Sequence, residues 1–135
     1  ALRMKQHNES AQKIAQFLEN HEKIEKVNYP GLASHPDHDR GKKLFDGFSG
    51  MLSFELKEGL DAAKRFLNKV TLPILAPSLG GVETLMTRPA VTSHAGMSPS
   101  EREAIGITDS LVRVSAGIES AKDLIGDFDQ ALTES

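Results

Sequence analysis

Between Met51 and Leu56 the side chains alternate, Met51, Ser53 and Glu55 against Leu52, Phe54 and Leu56, which predicts a strand with one face in a core and the other towards solvent. Elsewhere the period is helical. From Leu2 to about Asn20 the chain is rich in Ala, Gln, Lys and Glu, and Leu2, Ala11, Ile14, Ala15, Phe17 and Leu18 partly follow helical spacing. After Gly59 an apolar stripe of Leu60, Ala63, Phe66, Leu67 and Val70 predicts a second long helix. The third is the most regular: Ser120 caps it, Asp123 follows three residues on, and Ala121, Leu124, Ile125, Phe128, Ala131 and Leu132 line one face.

Shorter signals fill the gaps. "VNYPGL" (27–32) predicts an extended piece that ends in a turn at Pro30 and Gly31, and the polar stretch from His35 predicts a short helix after Pro36. "TLPILAP" (71–77) predicts a short strand at a sheet edge or with an irregular end, because Pro73 and Pro77 cannot donate to a ladder. The Gly80–Gly81 pair predicts a loop over 78–89. "SPSE" (98–101) reads as a capping box that opens a short helix, and Gly106 ends it. "LVRVS" (111–115) is a further strand.

Strung together, these elements predict an α/β domain in two layers, a three- or four-stranded, mostly antiparallel sheet with helices on one face. One domain is expected, since 135 residues bury about 65–70% of their extended surface on folding, enough for a single core. The first residues, "ALRMKQHNES", already resemble a helix interior, so the chain is expected to be a piece of something longer. Composition narrows the function classes. A net charge of −3 with dispersed Lys and Arg argues against nucleic acid, and no apolar run approaches the ~20 residues a bilayer span needs. The lack of cysteine excludes disulfides, thiolate nucleophiles and Cys-based zinc sites, and fits a reducing compartment such as the cytoplasm.

Candidate chemistry begins at Arg113. Alternation along 111–115 puts Val112 and Val114 in the helix-packed core and Leu111, Arg113 and Ser115 on the opposite face. There the guanidinium has two readings: a solvated arginine, or a fork that holds a carboxylate through two parallel hydrogen bonds. "PSLGG" (77–81) offers Ser78 and backbone N–H groups after a strand, a pattern that cradles anions and, more often, simply makes turns. A nucleophilic Ser78 is disfavoured, because the Gly-x-Ser-x-Gly elbow is missing. His35, Asp37, His38 and Asp39 invite a metal reading, which Pro36 and the lack of a helical glutamate base weaken in favour of a solvated loop. For His94 the sequence decides nothing.

Several stretches together resemble one family. "VNYPGLASHPDH", "GFSGMLSFEL", "APSLGGVETLMTRPAVTSHAGMSP", "GITDSLVRVSAGIES" and "DLIGDFDQAL" are similar, in order and spacing, to the carboxy-terminal portion of the pyridoxal-phosphate enzymes of cysteine and methionine metabolism. The resemblance spans Leu2 to Leu132. It implies a carboxy-terminal domain of a polypeptide about three times as long. The amino-terminal domain of such an enzyme supplies the Schiff-base lysine and holds the cofactor, so no catalytic, cofactor-binding or metal-binding residue is expected here. None of the ten lysines resembles the family's cofactor-lysine motif.

The resemblance also implies roles. Arg113 matches the arginine that clamps the substrate α-carboxylate, and Ser78 the serine that helps place it; Glu83 matches a common residue read as structural. Pro77 stands where several members carry a glutamate, which leaves the exact substrate open. The implied activity is γ-replacement or γ-elimination on a homoserine ester or cystathionine, with O-acetylhomoserine sulfhydrylase and methionine γ-lyase as alternatives, in a homotetramer. A non-catalytic α/β interaction module is the reading from a different class.

Overall fold

The computed structural model describes residues 1–134. In chain order the elements are helix α1 (Leu2–Glu19), strand β1 (Ile24–Asn28), α2 (His38–Leu44), β2 (Met51–Leu56), α3 (Gly59–Lys69), β3 (Ile74–Leu75), β4 (Leu85–Thr87), a single 3₁₀ turn at Pro89–Val91, α4 (Pro99–Ala104), β5 (Leu111–Ser115) and α5 (Ala121–Thr133). The strands form one sheet in the order β1-β2-β5-β4-β3, antiparallel throughout except for the parallel β3–β4 pair.

The two-layer α/β architecture and the mostly antiparallel sheet are as predicted, and the strand number is corrected from three or four to five. The extra strand, β4, lies inside the expected loop 78–89. Its residues Leu85, Met86 and Thr87 are all buried, so no alternation marks it. Of the two placements its prolines allowed, β3 takes the outer edge of the sheet, and both its side chains are exposed.

Helices α1 and α3 pack on one sheet face, and α5 packs against both of them. Between them lie Val112 and Val114 of β5, Leu52, Phe54 and Leu56 of β2, and Ile14, Leu18, Leu124 and Leu132 from the helices, all buried. Aromatic rings cross the layers: Phe54 meets Phe66 edge-on at 5.5 Å, and Phe66 meets Phe128 at 5.8 Å. The predicted α1 stripe fails at its start. Leu2 is 88% exposed, and burial begins at His7. Both predicted helix starts form, with Ser98 and Glu101 in a full capping box and the Ser120 hydroxyl accepting from the Asp123 N–H.

Candidate functional site

The face of the sheet turned away from the helices carries a polar row. Register aligns Asn28, Ser53, Arg113 and Thr87 across β1, β2, β5 and β4, and side chains directly opposite in antiparallel strands share a face. The Asn28 amide donates to Ser53 Oγ at 3.1 Å, and Thr87 Oγ1 donates to Thr92 Oγ1 at 3.0 Å. Arg113 occupies the middle of the row on the face that alternation assigned to it, half-buried.

One corner of its guanidinium is engaged. Nη2 donates to the backbone carbonyls of Pro77 at 2.8 Å and Ser78 at 2.9 Å. Nε is shielded from solvent, and among the described residues it has no acceptor and no carboxylate forms an ion pair with the group. A partly desolvated cation without a counter-charge is costly to keep, and an incoming carboxylate relieves that cost. The two carbonyls thus act as a bracket that holds Nη2.

The sequence-predicted pair comes together, since Ser78 meets Arg113 through its main-chain oxygen while its exposed side chain stands at the loop surface. Ser115, on the same strand face, serves the loop: its buried Oγ accepts the Gly80 N–H at 2.9 Å. Gly80 adopts a φ of 76°, a left-handed conformation that glycine reaches without steric cost. Glu83 lies over Gly81, where an added Cβ would stand 2.8 Å from its carboxyl carbon.

The histidines find local partners. The Asp37 N–H donates to His35 Nδ1 at 3.1 Å, while His38 Nδ1 meets the Pro30 carbonyl at 2.7 Å and its ring stacks on Phe48 at 5.5 Å. Among the described residues no group of three or more acidic or imidazole side chains is gathered as a metal site. His94 Nδ1 is 2.8 Å from the Ser93 hydroxyl. Sequence reasoning missed Thr84 and Glu119, which tie the loop before β4 to the turn after β5. The only available signal was a glutamate just past a glycine at the end of a buried strand.

With this geometry in view, comparison decides the relationship. The family model described as "Cys/Met metabolism PLP-dependent enzyme" matches residues 1–133. The chain belongs to that family. It is 49% identical over 131 residues to an L-methionine gamma-lyase of Fusobacterium nucleatum subsp. polymorphum, covering 97% of the chain and 33% of the relative. A cystathionine gamma-lyase of Sus scrofa is 47% identical, with 97% of the chain and 32% of the relative covered. A cystathionine beta-lyase of Coxiella burnetii is 48% identical, with 98% and 34% covered.

A crystal structure described as an O-acetylhomoserine (thiol)-lyase of Campylobacter jejuni, carrying a pyridoxyl-lysine monophosphate group, superposes with a TM-score of 0.94 at 43% identity. That match covers 98% of this chain and 32% of the other. The chain of this PLP-dependent family member therefore spans about a third of the length of the relatives it matches.

Fit to the family's cofactor is tested by the donor set. Strands β2, β4 and β5 carry no lysine, and Lys26, the one lysine in a strand, is exposed on edge strand β1 opposite Glu55. The open face offers a guanidinium that no carboxylate pairs among the described residues, together with hydroxyls, which suit a carboxylate group rather than a pyridine ring.

Proposed function

We propose that residues 1–135 are the carboxy-terminal, substrate-carboxylate-binding domain of a longer pyridoxal-phosphate enzyme of trans-sulfuration. It acts by γ-elimination or γ-replacement on a homoserine ester, cystathionine or a related sulfur amino acid. The observation that carries this reading is the state of Arg113: bracketed at Nη2 by the Pro77 and Ser78 carbonyls and, among the described residues, unpaired at Nε and without a counter-ion. Family membership supports the cofactor, and the relatives' names support the substrate class, although lyases acting at Cβ and at Cγ match this chain about equally well.

When bound, pyridoxal phosphate supplies an electron sink for negative charge developing at the amino acid's Cα. This chain's share is orientation. A planar fork against a planar carboxylate fixes rotation about the Cα–carboxyl bond, so the substrate arrives with its remaining bonds set for reaction and less freedom left to lose. In this reading Ser78, whose carbonyl forms part of the bracket, adds its hydroxyl to the same carboxylate. A cytoplasmic location, a homotetramer and a cofactor held by sequence outside these residues belong to the same proposal.

The test is steady-state kinetics of the holoenzyme with Arg113 replaced. Loss of a charge-assisted pair predicts that Arg113→Ala lowers kcat/KM about a hundredfold or more, and that Arg113→Lys recovers only part of it because an ammonium lacks the fork. An unchanged kcat/KM in Arg113→Ala ends the clamp assignment.

A further inference from the structure

Residues 77–84 connect β3 to β4 and carry both carbonyls that bracket Arg113, yet they belong to no helix or strand. What holds them is a run of hydrogen bonds to residues 113–119. Nearest the bracket, the Gly80 N–H reaches Ser115 Oγ at 2.9 Å; further on, the Ile118 N–H donates to the Val82 carbonyl at 2.8 Å. The run ends in a buried clasp. Thr84, fully buried, gives its N–H to Glu119 Oε1 at 2.6 Å and its hydroxyl proton to Oε2 at 2.8 Å, and Thr84 Oγ1 accepts the Gly117 N–H at 2.9 Å.

The chemistry of the clasp allows one arrangement. A carboxylate only accepts, so both Thr84 donors must point at Glu119, and the hydroxyl's lone pairs are thereby turned to the Gly117 N–H. The backbones approach so closely that a Cβ on Gly117 would stand 2.6 Å from the Glu83 carbonyl carbon and would also strike the Val82 carbonyl oxygen. Partners inside a low-dielectric network strengthen each other and lose together.

We propose that Thr84 and Glu119 are positioning residues for the substrate carboxylate: by clasping the far end of the 77–84 segment to the turn after β5, they fix the carbonyl bracket that aims the free edge of Arg113. The proposal rests on the clamp reading of Arg113. Neither residue belongs to the guanidinium or to its carbonyl bracket, so the expected effect is confined to ligands that carry a carboxylate.

The experiment compares L-norleucine with n-pentylamine, the same molecule without its carboxylate, as ligands of the holoenzyme, with binding followed by the cofactor's absorbance. Thr84→Val removes the hydroxyl at nearly constant volume and leaves two buried groups unpaired, so norleucine is expected to bind about tenfold more weakly while pentylamine is unaffected. Thr84→Ser, which restores the hydroxyl, is expected to recover norleucine affinity. Should Thr84→Val fail to fold, Glu119→Gln is the substitute, since it keeps shape and weakens acceptance; it is expected to shift the same ratio in the same direction.

Loss of affinity for both ligands alike, or a lowered melting temperature with the norleucine-to-pentylamine ratio unchanged, overturns the positioning role. Arg113→Lys separates the two claims. If it leaves the ratio intact, the clamp reading itself falls; if it collapses the ratio while Thr84→Val does not, only the clasp is lost.

Discussion

Arg113 shows how one side chain serves two masters on one sheet face. Its Nη2 donates to two loop carbonyls, and among the described residues the buried Nε stays unpaired. Tyr29 is the opposite case, a polar tip wholly spent on structure. The ring is fully buried and its hydroxyl donates to the Ser49 carbonyl at 2.9 Å; burial pushes the phenol up to about 12 from its ordinary 10.0. Because the folded value is the higher one, the associated stability is complete below pH 10.0 and is lost as pH rises towards about 12. Tyr29 is the only tyrosine, and the chain has no tryptophan, so an ultraviolet titration follows it alone. The phenolate is expected to appear near the ordinary value in denaturant and well above it in the folded chain. Tyr29→Phe should cost about 1 kcal/mol at neutral pH, the worth of one lost hydrogen bond, as read by urea denaturation. Alternation alone placed Arg113 on the correct face, but the carbonyl bracket was invisible, since it depends on a loop that returns from 35 residues away in sequence.

Among the elements, the exit from α3 depends on a residue of α5. Asp127, buried on the helix face, accepts from the Thr71 N–H at 2.9 Å, the Thr71 hydroxyl at 2.7 Å, the Leu72 N–H at 3.0 Å and the Gln130 amide at 3.1 Å. Burial pushes its carboxyl up, but the hydrogen bonds from Leu72, Thr71 and Gln130 together outweigh that and hold it below the usual 3.8. A depressed folded value means the stabilisation is complete above pH 3.8 and disappears as pH falls through the lower folded value. Asp127→Asn should cost about 1–3 kcal/mol at neutral pH, since it turns an acceptor into a donor facing donors, and the gap to the parent chain should close on acidification. Paired denaturation curves at neutral and strongly acidic pH check both statements. Elements whose signal is local were legible beforehand: β2 by alternation, α4 and α5 by their caps. Asp127 was not, because a carboxylate inside an apolar stripe looks like the solvent side until the α3–β3 turn is seen against it. β4 was hidden for the same reason, three buried residues whose burial comes from strands far along the chain.

At the scale of the whole molecule, the last strand to be reached along the chain is the one in the centre. β5 lies between β2 and β4, so the first pair of strands and the second pair have no contact in the sheet until residues 111–115 arrive. The polar row through Ser53, Arg113 and Thr87 exists only after that insertion, and so does the clasp on the 77–84 segment. Long-range pairing of this kind imposes its loop-closure cost before the contacts repay it, which concentrates cooperativity in the closing strand. β5 and α5 also bring Val112, Val114, Leu124, Phe128 and Leu132 to the core, so removing them takes away both the sheet's keystone and one wall of the interior. A chain shortened to end at Ser110 is therefore expected to show no cooperative transition in calorimetry. In the intact chain, hydrogen exchange should be slowest for amides of β2 and β5 and fastest, among the strands, for exposed Ile74 and Leu75 at the edge. A sharp transition in the shortened chain would mean that α1, β1, β2 and α3 fold as a unit of their own. The Arg113 face would then be an addition to a pre-formed layer rather than the product of a single folding event.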